Sequence, residues 1–163
     1  MTNTEGTHVD IDIGIDEQAR GSIAGELSKL LGDTYTLYVK TQGYHWNVTG
    51  PMFRSLHLMF EEEYLELRDA VDLIAERIRA LGHVAPGSFA QFSALSSVVE
   101  DETVPEAIEM VRLLAKGHEA AARSARRVVE DAEKGGDVAS ADLATARIDL
   151  HEKTAWMLRS TAA

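Results

Sequence analysis

His45, His57, Glu61, Asp72 and Glu76 carry the donor types and the spacing of a metal site. Imidazole and carboxylate together suit iron, zinc or manganese. His57 and Glu61 are four residues apart, as are Asp72 and Glu76, so on a helix each pair shares one face. Positions 61 and 72 differ by eleven, about three turns at roughly 3.6 residues per turn, so both pairs lie on one stripe. The same separation is ~16 Å of helix axis at roughly 1.5 Å per residue. Metal bonds to nitrogen or oxygen are only ~2.0–2.6 Å long. One chain therefore offers two half-sites. A second copy, running antiparallel across a two-fold axis, brings the first half of one against the second half of the other and completes two sites. A lone histidine on a helix face is more often a hydrogen-bonded packing residue than a ligand. Five donors in one window with coherent geometry weigh against that bland reading.

These residues must be positioned by helices. Ile23, Leu27, Leu30, Thr34 and Leu37 or Tyr38 recur at helical spacing, which predicts a first helix over about 17–44 with Asp16 as its cap. Gly50-Pro51 interrupts, and a second helix runs from 52 to 81 with no proline or glycine inside it, closed by Gly82. A loop holds Pro86 and Gly87, and residues 89–95 predict a short helix. Pro105 opens a third long helix ending at Lys134-Gly135-Gly136, and a fourth covers about 137–160. The alternating Val9, Ile11 and Ile13 could pair weakly as a strand. The fold class expected is all-α: a ferritin-type four-helix bundle with a short helix in the connection between helices 2 and 3.

The 163 residues, 45% of them hydrophobic, fit one domain with its own core. With no cysteine, neither disulfides nor thiolate ligands are available. No apolar run approaches the ~18–20 residues that span a bilayer. The first sixteen residues carry no basic n-region and no apolar h-region. A cytoplasmic location is the simplest expectation, with nucleoid association left open. A formal net charge of −11 repels nucleic acid but attracts cations where acids cluster.

Di-iron bundles of the ferritin type carry Glu-x-x-His on their inward faces. That motif is absent: the residues three before His45, His57 and His151 are Gln42, Arg54 and Ile148. His151-Glu152 lacks the second histidine of a zinc-protease motif, and His83 and His118 read as surface or packing residues. The segments YHWNVTGPMFRSLHLMFEEEY (Tyr44 to Tyr64) and DLIAERIRALG (Asp72 to Gly82) closely resemble the Dps family, the ferritin-like mini-ferritins of bacteria and archaea. The ending HEKTAWMLRS (His151 to Ser160) is similar to it as well. The likeness covers about residues 17–160, so the chain divides into an acidic arm (1–16) and a Dps-type bundle (17–163).

The resemblance implies a hollow homododecamer with ferroxidase sites shared across two-fold dimers. It places one ligand set at His45, His57 and Glu61 and the other at Asp72 and Glu76 of the neighbouring chain. Many relatives have aspartate where this chain has Glu61. It implies oxidation of Fe(II), with hydrogen peroxide or dioxygen as oxidant, and storage of ferric mineral that protects the cell from oxidative damage. The same donors also accept Zn(II). Trp46 matches a position assigned a protective role against oxidising equivalents, its bland role being packing at a dimer contact. Glu62 and Glu66 are candidate mineral-nucleation acids. Asp142, assisted by Asp137, matches an acidic pore position, although for Asp137 the favoured reading is a helix N-terminal acid stabilised by the dipole.

Members of that family that condense DNA commonly use a tail rich in lysine or arginine, which releases counterions from phosphates. Residues 1–16 hold Glu5, Asp10, Asp12 and Asp16 and no Lys or Arg, and Arg123, Arg126 and Arg127 form only a local cluster. DNA binding is expected to be weak at most. The alternative reading is a nucleoid-binding structural protein with a weak or vestigial metal site.

Overall fold

The computed structural model describes residues 9–163. In chain order it contains α1 (Glu17–Asn47), α2 (Phe53–Ala80), α3 (Phe89–Leu95), α4 (Ala107–Gly135) and α5 (Val138–Thr161). Four long helices form an antiparallel bundle, and the short α3 lies against α1. The expected architecture therefore holds. The strand suggested for residues 9–13 does not: no strand occurs among the described residues. Val9 and Ile13 stay exposed, and Ile11 instead packs at Gly82.

Helix ends follow local chemistry. The Asp16 carboxylate accepts the Ala19 amide at 3.0 Å, and the Asp137 carboxylate accepts that of Ser140 at 3.0 Å, each satisfying a donor that the first turn leaves free. α4 ends on Gly136 at φ 70°, a left-handed conformation that glycine adopts without a Cβ clash. α1 runs three residues past the expected Tyr44. Gly43 does not stop it. The helix yields only where Val48 turns extended ahead of Gly50-Pro51.

The core is divided. At one end Leu37, Tyr44, Leu56, Phe60, Leu67, Met110, Val111, Leu114 and Leu158 pack together. At the other end Ile23, Leu27, Leu30, Ile74, Ile78, Leu81, Val128 and Ala144 do so. Between them the helices carry buried polar groups: Asp33 and Thr34 on α1, His118 and Ser124 on α4, Arg147 and His151 on α5.

Asp33 ties the α3–α4 connection to this layer. Its fully buried carboxylate accepts the Ser97 amide, the hydroxyls of Ser96 and Ser97, and the Ser124 hydroxyl. Gly32 beside it lets α3 approach, since a Cβ there would lie 3.0 Å from the Phe92 carbonyl. Replacing Asp33 by alanine orphans several buried donors at once. We expect a loss of about 3–5 kcal/mol, read as a lower thermal midpoint with the wild-type helix content well below the transition.

Candidate metal centre

His45 lies in the last turn of α1 and His57 in the second turn of α2. The final carbonyls of a helix have no intrahelical partner. That of His45 is one of them, and it accepts a hydrogen bond from Nδ1 of His57 at 2.8 Å. The reciprocal bond runs from Nδ1 of His45 to the His57 carbonyl at 2.7 Å. The two rings stack with centroids 3.8 Å apart. A carbonyl can only accept, so both protons sit on Nδ1, and both rings keep an unprotonated Nε2 in the state that binds metal.

Glu61, one turn after His57 on α2, is half-buried, whereas Asp72 and Glu76 are exposed. Among the described residues of one chain, no three or more His, Cys, Asp or Glu side chains converge on a common ion position. The structure thus joins His45 to His57, through an α1–α2 hairpin, and leaves Asp72 and Glu76 facing away from the fold.

The remaining acids differ in their commitments. Asp137 is 2% exposed and receives Arg77 at 2.7 Å. Burial works to raise its pKa, and the bonds from Ser140 and Arg77 outweigh it and hold the carboxyl below its ordinary value. Glu66 forms a two-pronged pair with Arg147. Glu62 and Asp142 are exposed. Of the arginine cluster, Arg126 pairs with Glu152 and Arg127 with Glu26. Trp46 is 66% exposed and lines a cavity of about 380 Å³ between α1, α3 and the 100–104 connection. In that cavity wall the Tyr44 hydroxyl donates to Asp101. Hydrogen bonds from Thr103 and Tyr44 pull the Asp101 carboxyl down to about 2.

Sequence reasoning passed over one cluster. His118, expected at the surface or in packing, is a buried packing residue, and its Nδ1 lies 2.9 Å from Nδ1 of His151. Nε2 of His151 lies 3.2 Å from Arg147, which in turn holds Glu66. The signal was heptad spacing: His118 follows Val111 by seven residues and His151 precedes Leu158 by seven, all on core faces.

A family model for the ferritin-like domain matches residues 24–163. A "DNA protection during starvation protein 2" from Bacillus anthracis is 34% identical over 134 residues, 82% of this chain and 92% of that protein. The chain belongs to the Dps family of ferritin-like proteins. A low temperature-induced protein of Nostoc is 41% identical over 152 residues, 92% of this chain and 85% of its own length. A DPS protein from Vibrio cholerae O1, described as one of the ferritin-like diiron-carboxylate proteins, superposes with a TM-score of 0.89 at 30% identity, covering 99% of this chain and 100% of that one. The short α3 between the second and third long helices fits this Dps membership. No described helix is long and apolar enough to cross a membrane.

Proposed function

We propose that this Dps-family chain is a ferroxidase and iron-storage protein whose site is built by two copies. His45, His57 and Glu61 of one protomer face Asp72 and Glu76 of its partner. Two Fe(II) ions bound there each give one electron to a molecule of hydrogen peroxide. The peroxide takes up two protons and leaves as two waters. Taking both electrons from paired iron avoids one-electron cleavage to hydroxyl radical. The Fe(III) is then hydrolysed to mineral inside a hollow dodecamer. Iron here is substrate and cargo, and dioxygen is the alternative oxidant. The diiron-carboxylate description of the Vibrio cholerae relative supports iron rather than zinc.

The observation that carries this reading is the reciprocal lock of His45 and His57 on each other's carbonyls. It spends Nδ1 of each ring on a carbonyl and leaves each Nε2 as the nitrogen available to a metal. The exposed Glu62 and Asp142 remain free to attract or nucleate iron, while Asp137 and Glu66 are held by arginines. Protection of DNA follows from removing iron and peroxide, without requiring this acidic surface to touch phosphate.

The test is anaerobic Fe(II) titration followed by peroxide, with native mass measurement of the assembly. Two Fe(II) bound per chain and one peroxide consumed per pair are expected. A variant carrying His45→Ala and Asp72→Ala should lose both. A monomer that binds iron at full stoichiometry would overturn the shared site, and a salt-resistant gel shift with no iron oxidation would favour the nucleoid-structural reading.

A further inference from the structure

Three of the four tyrosines of this chain form one run of ring contacts that ends on a candidate ligand. Tyr64 stands edge-on to His45, centroids 5.1 Å apart at 69°. Tyr38 lies 6.1 Å from Tyr64, and Tyr35 lies 5.7 Å from Tyr38. The run then meets α3, where Tyr35 stacks on Phe92 at 4.4 Å. Such contacts are ordinary packing for aromatic rings, and phenylalanine would serve that purpose equally. None of the three hydroxyls is a buried unpaired atom, so each reaches solvent. Among the described residues none of these three phenols has a protein hydrogen-bond partner, whereas the fourth, Tyr44, donates to Asp101. What a phenol adds to a benzyl ring is ready one-electron oxidation. Trp46 takes no part in the run, because its indole points into the outer cavity and is 66% exposed.

We propose that Tyr64, with Tyr38 and Tyr35 behind it, is an internal electron donor to the metal centre when a site holds only one Fe(II). This rests on the ferroxidase reading above. Reduction of peroxide to two waters needs two electrons and two protons. A single Fe(II) supplies one electron and becomes Fe(III). Tyr64 supplies the other through the edge contact with His45 and becomes a neutral tyrosyl radical. Its phenolic proton and one more from solvent complete the two waters. The radical is shared along Tyr38 and Tyr35, away from the imidazole ligands. The next Fe(II) to arrive returns an electron, a proton is taken back, and the phenol is restored as a second Fe(III) forms. A half-filled site therefore completes the two-electron reaction instead of releasing hydroxyl radical.

The experiment uses the intact assembly loaded anaerobically with one Fe(II) per site, then mixed with one equivalent of peroxide. Freeze-quenched electron paramagnetic resonance reads the tyrosyl radical, and a spin trap reads hydroxyl radical. Wild type should give the tyrosyl signal and little trapped hydroxyl. Tyr64→Phe should lose most of the signal and trap several-fold more hydroxyl, yet match wild type when two Fe(II) fill each site. Tyr38→Phe should keep the signal but confine it to Tyr64. Tyr64→Trp, which is oxidisable, should restore protection with an indole-type signal, and this separates electron donation from packing. Wild-type radical yield in Tyr64→Phe, or its loss in Trp46→Phe alone, overturns the proposal. If wild type oxidises no iron with peroxide even at two Fe(II) per site, the ferroxidase reading fails and the relay with it; radical loss alone leaves that reading standing.

Discussion

Mixing two inactive variants should restore iron oxidation. In a His57→Ala chain the first half-site is broken and the second intact; in an Asp72→Ala chain the reverse holds. Either variant alone spoils both sites of a two-fold dimer. The expected loss is at least ~10–100-fold, the range seen when only an outer-shell partner of a metal ligand is removed. In a mixed dimer one site receives both defects and the other receives neither. Random pairing makes about half of the dimers mixed, and an isologous interface gives each of those one good site, so about a quarter of all sites recover. The measurement is the initial rate of peroxide-driven Fe(II) oxidation after the variants are denatured and refolded together, against the same variants refolded apart and then mixed. Recovery only on co-refolding is the signature of a shared site. Equal rates in both mixtures would place a complete site within one chain.

That experiment tests what spacing alone suggested, and the structure shows where spacing stopped being enough. The helices were legible because their breaks are chemical: Gly50-Pro51, Gly82, Ser88 as a cap on α3, and Gly136 past the end of α4. Asp137 was readable as a cap for the same local reason. The stripe from His57 to Glu76 was readable because helical periodicity places donors on a face without any knowledge of neighbours. The lock between His45 and His57 was not, since it depends on where α1 ends and how the hairpin returns. The pairing of Glu66 with Arg147 spans 81 positions, and nothing local distinguishes that glutamate from Glu62. The tyrosine run needs the antiparallel register of α1 and α2, which sets Tyr38 beside Tyr64. His118 and His151 sat at core spacing among alanines and leucines, where a polar residue reads as easily as a helix face turned to water.

Those two histidines carry the second large expectation: their contribution to the stability of the fold should fall sharply in mild acid. Arg147 can only donate, so Nε2 of His151 accepts and its proton sits on Nδ1, which donates to Nδ1 of His118. The proton of His118 is then on Nε2, a buried atom with no partner among the described residues. Neither ring has room for a second proton. Burial, then the charge of Arg147, lowers the His118 pKa to about 3. Burial, then His118 and Arg147, puts His151 well below its ordinary value. An unfolded chain takes up protons on both imidazoles near pH 6.5, and the folded chain does not. Stability is therefore full above that value and falls as pH falls, by about 1.4 kcal/mol per unit for each histidine. Between pH 7 and 5 the pair should withdraw roughly 4 kcal/mol, a large part of the 5–15 kcal/mol typical of a domain. His118→Gln keeps an acceptor for His151 and removes one titrating group. Denaturant unfolding of wild type and variant at both pH values isolates the pair, because the carboxylates contribute equally to each protein. The variant should lose about 2 kcal/mol less over that interval. An identical loss in both would mean that His118 is protonated in the folded protein, and that the buried tautomer chain ending at its Nε2 is not the one the bundle holds.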